Sequence, residues 1–406
     1  MTVTAPSSQA SPVPSAALYY ADLHVHVGRS EDGRIVKVSA PASMTLRSVL
    51  QAARLDRGLD MVAVVDGHSP AVQDDVKRLV DLHELVVEES GVLSYHGLVL
   101  ILGSEVEVRL GGARVHVVLL FPNLWSAGNF SGTLRGRVAN ASLSTPLWPG
   151  HWTELADWAE AAGAVFFPAH IFTPHRGVLA AGIDEARPLI ERSRAVELGL
   201  SADTAMAAPL SVLAGRVFLS NSDAHSQGRV AREYNVFALH RPTAGELNLA
   251  LQGRDGRRVV ANYGLDPALG KYHRTWCPTC DHISTGPPPL ATCELCGSDR
   301  VVLGVADRVA LLARHDATGL TPSHDEERPP YVHQVPLRNI PGIGARTYAR
   351  LLAAFGSERA VLHEAPPGEL AAVCGQALAE RIVAVREERV RIAPGGGGHW
   401  GRVVWQ

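Results

Sequence analysis

The chain has 406 residues, 46% of them apolar and 19% charged, with a formal net charge of −3. Those values exclude a disordered polyelectrolyte and a globally basic polyanion binder, and they leave a globular protein with one large domain and one or two small ones. No run of about 18 apolar residues occurs, which excludes a membrane-spanning helix, and five cysteines, four of them clustered, do not make the framework of a secreted disulfide protein.

In chain order, residues 1–17 are rich in Ser, Ala and Pro and read as a disordered tail rather than a signal peptide, so a cytoplasmic, nucleoid-associated protein is expected. "ADLHVHVG" then sets His24 and His26 two apart on a strand, where alternate side chains share a face. Two imidazoles point to a divalent metal but cannot hold one alone. Further strands end on polar residues: "LDMVAVVDGH" on Asp66 and His68, "GLVLILGSE" on Glu105, "GAVFFPAH" on His170, and "RVFLSNSDAH" on Asp223 and His225. His116 lies within "ARVHVVLLFP", and "RAVELGLS" holds Glu197. Amphipathic stretches at 46–57, 72–90 and 153–162 predict helices between strands. Strand and helix in alternation predict an α/β fold with a parallel sheet, closed into a barrel of about seven strands over residues 18–265.

In such a barrel the strand ends meet at one mouth. The pattern therefore gathers His24, His26, Asp66, His68, Glu105, His116, His170, Asp223 and His225. A single buried His or Asp at a strand end is usually a hydrogen-bonded structural residue. Nine at equivalent positions, drawn only from His, Asp and Glu, point instead to a multinuclear site for Zn, Mn, Mg or Fe. Clustered ions of that kind activate water and clamp phosphate-ester oxygens.

Residues 266–305 contain Cys277, Cys280, Cys293 and Cys296 in two C-x2-C knuckles twelve residues apart, the spacing of a closed structural zinc site. Residues 306–334 mix charges with "TP" and "PP" and read as a linker. Residues 335–406 begin with "IPGIGARTYARLL", a Gly-x-Gly turn opening a helix. This predicts a helix-hairpin-helix-like domain holding a DNA backbone through Gly342, Gly344 and Arg346. The segment 331–394 carries eight Arg and six Glu with no Lys or Asp, so it is mildly basic. The Gly395–Gly398 run reads either as a flexible tail or as a backbone contact point.

"DLHVH", "DGH", "GSE", "PAH" and "SDAHS" resemble the motifs of the PHP (polymerase and histidinol phosphatase) metal-dependent phosphoesterases. With "PAHIFTPHRG", "ELGLSADT", "NYGLDPALGKYH", the cysteine module, "RPPYVHQVPL" and "GGGGHWG", the run from residue 20 onward resembles the endonuclease Q family in its bacterial form. The resemblance implies a distorted seven-stranded (β/α) PHP barrel with two or three divalent ions, Glu105 bridging, and Asp223, His225, Glu105 and His170 as candidate catalytic groups. It also implies a DNA-repair endonuclease that nicks 5′ of uracil, hypoxanthine, xanthine or an abasic site, leaving 3′-hydroxyl and 5′-phosphate ends. Damaged double- or single-stranded DNA is then the expected partner; a sliding clamp is a further candidate that a repair enzyme could contact, although no clamp-binding peptide supports it in the sequence. Thr173, His175, Ser201 and Asp203, in loops after two of the strands, are candidates for a base pocket. The competing readings are a 3′–5′ exonuclease, a small-molecule phosphatase, and a non-catalytic DNA-binding protein with structural metals.

Overall fold

The computed structural model describes residues 16–88, 91–315 and 328–405. β1 (Ala17–Val25) lies inside a ten-stranded sheet, and from Ala21 to Val25 none of its residues is exposed. Parallel to it run β2 (Met61–Val64) and, beyond β2, β5 (Leu98–Leu110); β3 (Val86–Val87) and β4 (Leu93–Tyr95) complete that edge. β6 (Ala113–Leu120) and β7 (Val165–Pro168) continue from β5, both antiparallel to their neighbours. β8 (Ala195–Glu197) and β9 (Val217–Leu219) form a separate parallel pair. On the other side of β1 stand β10 (Tyr234–Leu239), β11 (Arg258–Leu265) and, after the cysteine hairpin of β12 (Trp276–Cys277) and β13 (His282–Ile283), β14 (Tyr331–Gln334).

Two expectations need correcting. The sheet is mixed rather than parallel, because β5 and β6 are joined by the two-residue turn Gly111–Gly112, a hairpin that sends the chain straight back. Nor do the ladders close into a regular seven-strand ring. The β8–β9 pair is stitched to its neighbours by bonds such as Ile171 N–H to Glu197 O (2.9 Å) and His26 N–H to Ala224 O (3.0 Å). The fold class, mixed α/β, is as the sequence predicts.

Successive residues of β2 alternate between two apolar clusters, Met61 and Ala63 facing one and Val62 and Val64 the other. The second cluster takes the apolar stripes of the helices, including Val49 and Leu50, Val72 and Val76, and Leu155. The predicted helix at 46–57 forms as Leu46–Gln51 followed by a wider turn through Arg57, and that at 153–162 forms as Trp152–Ala161. The one predicted at 72–90 starts at Pro70 and stops at Asp81, where His83 turns to φ +59°. A linker over 306–334 is also corrected in part: Val305–His315 is a helix, because Val305 and Val309 lie one turn apart and bury against the main core. Residues 316–327 lie outside the described residues, and β14 pairs with β11.

The last 70 residues build a third core on Leu337, Ile340, Tyr348, Leu351, Leu370 and Ile382, which also takes in Leu265 and Leu269. One helical turn, Leu337–Asn339, precedes the Gly342 turn, and Ala345–Phe355 follows it. A second hairpin joins Pro367–Cys374 to Gln376–Arg386 through Gly375, a repeat that the sequence reading passed over. These helices dock on the barrel flank through the buried Arg57–Glu358 ion pair, Arg359 over the Tyr20 ring at 4.0 Å, and His363 against Tyr263.

His363 gives this docking a pH dependence. Burial and the charges of Arg386 and Arg359 lower its pKa to about 4, while its Nε2–H donates to Gln334 Oε1 at 3.0 Å. The unfolded imidazole takes a proton near 6.5, so the stability is complete above that pH and is lost as pH falls toward 4. The expected loss at pH 4 is roughly 2–3 kcal/mol. A His363→Gln variant should show a flatter melting-temperature profile between those pH values; an unchanged profile would remove His363 as the cause.

Candidate metal centre

Seven of the nine predicted ligands come together, from within β1, β5 and β6 and from the segments that follow β1, β7 and β9. Their ligand atoms form three overlapping trios, each within 4.8 Å: His24, His26 and Glu105; His26, Asp223 and His225; Glu105, His116 and His170. Glu105, at the middle of the long strand β5, is the hub. Its Oε1 lies 2.7 Å from His116 Nδ1 and 3.3 Å from His170 Nε2, and its Oε2 lies 3.5 Å from His26 Nε2. Asp223 Oδ1 faces His225 Nε2 at 3.1 Å, His26 Nε2 at 3.6 Å and His24 Nε2 at 3.7 Å. His170 and Asp223 both adopt positive φ, +32° and +43°, an unfavourable backbone that the surrounding bonds must hold.

The other two are placed differently. Asp66 accepts from His26 Nδ1 at 3.2 Å and from Val27 N–H at 2.7 Å, so it orients a ligand and stands outside the trios. His68 is buried with both ring nitrogens engaged, Nδ1 with Ser104 Oγ at 2.8 Å and Nε2 with Leu143 O at 3.0 Å. With no lone pair left for an ion, His68 is a structural residue here, against the expectation.

Glu197 has a larger role than the sequence reading gave it. It is fully buried and receives His24 Nδ1–H at 2.9 Å, Asn221 Nδ2–H at 2.9 Å and the His170 backbone N–H at 3.2 Å. The first of these orients the His24 ring so that Nε2 faces Glu105 and Asp223 at 3.6 and 3.7 Å. Glu107 lies near His116 without a close hydrogen bond, 3.8 Å from its Nε2, while accepting from Arg114 and Arg176 at 2.9 Å each. Lys37, from a loop with no metal-ligand signature, places Nζ 3.2 Å from His26 Nε2 and 3.7 Å from Glu105 Oε2.

The electrostatics favour cations. Burial alone would raise Glu105, but His116 and Lys37 outweigh it and hold the carboxylate well below the usual range. Burial opposes ionisation of Asp223 too, and His225 and His24 hold it well below. Burial would lower His24, yet Glu197, Asp223 and Glu105 push it up to about 10. Its Nε2 is buried with no hydrogen-bond partner. A buried imidazole nitrogen aimed among carboxylates is the donor set of a divalent ion such as Zn, Mn or Fe. The residues fit the group.

The cluster opens into a cavity of about 190 Å³ that is also lined by Thr173, His175, Ser201, Lys271 and Tyr272. Three of the four base-pocket candidates are therefore at the site. Thr173 Oγ1 is occupied in part, accepting from His170 Nδ1 at 3.0 Å. Asp203 is not in the lining: it caps the turn Thr204–Ala207 through Met206 N–H and pairs with His333 Nε2 at 3.0 Å. A larger hollow of about 520 Å³, lined by Arg192, Arg216 and Arg254, holds none of the ligand groups.

In the second module Cys277 and Cys296 bring their sulfurs to 3.7 Å and Cys280 and Cys293 to 3.6 Å. A tetrahedral Zn–S4 site has sulfurs about 3.8 Å apart, so these four thiols fit a closed zinc site. Gly342 takes φ +93° and packs where a Cβ would meet Leu378, which is why the hairpin turn needs glycine. Gly344, Ala345 and Arg346 are exposed at the start of the helix. Among the described residues no helix is long and apolar enough to cross a membrane.

Glu197→Gln is expected to lower metal affinity about 10- to 100-fold, because the amide orients the His24 ring less firmly than the carboxylate. Titration calorimetry on metal-stripped protein measures it. Unchanged affinity with a lowered melting temperature would make Glu197 purely structural.

No protein-family model matches the chain. The uncharacterized protein YqxK of Bacillus subtilis (strain 168) is 37% identical over 392 residues, covering 95% of this chain and 98% of that one. The crystal structure of the lesion-specific endonuclease PfuEndoQ from Pyrococcus furiosus is similar with a TM-score of 0.78 at 31% identity, covering 95% of both chains. An endonuclease Q complex with a 27-mer duplex carrying an abasic lesion at the active site gives a TM-score of 0.81 at 30% identity, covering 96% of this chain and 97% of the other.

Proposed function

The chain belongs to the endonuclease Q family, and from that premise we propose that it is a DNA-repair endonuclease. It cuts the phosphodiester 5′ to a deaminated base (uracil, hypoxanthine or xanthine) or an abasic site and leaves 3′-hydroxyl and 5′-phosphate ends. The observation that carries this reading is the continuity of the metal cluster with the 190 Å³ cavity, which puts Glu105, His170 and Asp223 on the same walls as Thr173, His175, Ser201 and Tyr272. A damaged base extruded from the duplex would enter beside the scissile bond. His175 and Tyr272 stand edge to face at 5.7 Å, an aromatic wall against which a base can pack.

Divalent ions held by His24, His26, Glu105, His116, His170, Asp223 and His225 would supply an activated water and neutralise the phosphate. The protein's own groups do the rest. Glu197 and Asp66 keep His24 and His26 oriented, and Lys37, Arg176 and Lys271 bring positive charge to the cavity where a phosphodiester would lie. The four-cysteine module would hold one structural zinc, and the exposed Gly342–Arg346 turn would meet a backbone phosphate without reading sequence.

The test is a 5′-labelled duplex with one deoxyuridine, deoxyinosine or abasic site, incubated with Mn²⁺ or Mg²⁺. The reading predicts one fragment ending just 5′ of the lesion and none from the undamaged duplex. A ladder would establish an exonuclease instead. No cut at any lesion by folded, metal-loaded protein would return a small-molecule phosphatase to the front.

A further inference from the structure

The glycine run at 395–398 is not a free tail. Gly395 N–H donates to Ala268 O at 2.8 Å, Gly398 N–H to Lys271 O at 2.9 Å, and Gly401 N–H to Leu269 O at 3.0 Å, while Arg274 N–H donates back to Gly395 O. The two backbones lie so close that a Cβ on Gly401 would come within 2.2 Å of Ala268 O. Flanked by the short ladder of β15 (Arg391–Ala393) and β16 (Arg402–Val404), this loop presents Trp400.

Three cations surround the Trp400 ring: Arg232 Cζ at 5.1 Å, Arg229 Cζ at 5.7 Å and Lys271 Nζ at 5.9 Å from its centroid. Among the described residues none of the three has an ion-pair partner within 4.0 Å. Arg232 is nearly buried and donates to Ser222 O at 2.9 Å and Asp223 O at 3.4 Å, so it braces the metal-ligand loop from behind. Arg229 is exposed. Together with Leu265, Pro336, Asn339 and Trp400, Arg229 and Arg232 line a second cavity of about 300 Å³. Lys271 links the two hollows, lining the cavity at the metal cluster and placing Nζ 5.9 Å from the Trp400 ring centroid.

Asp223 offsets part of the charge on Arg232 and Lys271 from a distance, but cations clustered with no close ion-pair partner still repel one another, and they persist together where an anion is to be received. We propose that Arg229, Lys271 and Arg232, gathered on Trp400 at the 300 Å³ cavity, form a subsite for a DNA phosphate that flanks the scissile one. This rests on the nuclease reading above and names a phosphate contact outside the metal centre. Phosphate on this subsite would sit beside Arg232, whose other face holds Asp223, so a seated strand and an ordered metal loop would reinforce each other.

The experiment measures binding of a labelled abasic duplex by full-length protein between about 50 and 200 mM salt. Wild type is compared with Arg229→Ala/Lys271→Ala and with Trp400→Ala, and the metal content of each is assayed in parallel. The double variant should bind about tenfold more weakly, with a log–log salt slope shallower by about 1 to 2 and unchanged metal content. Trp400→Ala, which frees the same cations, should weaken binding in the same direction. A wild-type slope in the double variant overturns the subsite even if inorganic phosphate proves to bind there. Wild type that holds and cuts the duplex while both variants match it overturns the subsite alone; wild type that binds no DNA overturns the nuclease reading with it.

Discussion

Glu105→Gln is expected to lower lesion cutting by about three orders of magnitude and to strip the metal from the barrel mouth. The substitution is nearly isosteric, and Thr145 Oγ1, which donates to Glu105 Oε2 at 2.6 Å, still finds an amide oxygen. What disappears is the charge that His24, His26, His116 and His170 share. Two of the three ligand trios contain Glu105, so one substitution weakens both at once. Metal analysis and single-turnover cutting on the same preparation check it. Full metal loading with undiminished cutting would show that Glu105 is a structural carboxylate.

Asp223→Asn is expected to separate catalysis from binding. Asp223 sits at φ +43°, and asparagine is among the few residues that tolerate such a backbone, so the loop should keep its shape. The loss is one charge facing His24, His26 and His225. Cutting is expected to fall about a thousandfold while affinity for an abasic duplex stays within about twofold. Gel-shift and cutting assays together decide the matter. If both fall in proportion alongside the melting temperature, Asp223 holds the fold rather than the chemistry, and the non-catalytic DNA-binding reading gains.

The candidate metal centre was legible because apolar strand runs carry its residues: His24, Glu105 and His116 lie inside β1, β5 and β6, and His26, His170, Asp223 and His225 follow β1, β7 and β9. Glu197 closes β8 in the same way as His170 follows β7, so its signal was present. What the pattern could not tell was which end-group touches an ion and which holds a ligand in place. That distinction rests on ring orientation: His26 gives Nδ1 to Asp66, and His68 spends both nitrogens on Ser104 and Leu143. Lys37 was invisible, since it reaches His26 from a loop with no periodicity.

The fold shows the same division. Apolar runs located the strands, but their pairing depended on the Gly111–Gly112 hairpin, which makes β5 and β6 antiparallel where alternation with helices predicted parallel neighbours. Val305, Val309 and Leu312 carry a helical stripe that charges and nearby prolines obscured. The glycine run had two readings from sequence; its backbone bonds to residues 268–274 decide for a structured contact.

The central claim is that the His, Asp and Glu cluster around Glu105 is the lesion-cutting centre. The most direct measurement strips the barrel ions with a chelator, confirms that the protein stays folded, and titrates Mn²⁺ back while following bound metal and cutting of an abasic duplex on one sample. The account predicts cutting that is absent at the start and rises in step with occupancy, and that Glu105→Gln recovers neither. Cutting by the folded, metal-stripped protein, or full occupancy without any cut at a lesion, would contradict it.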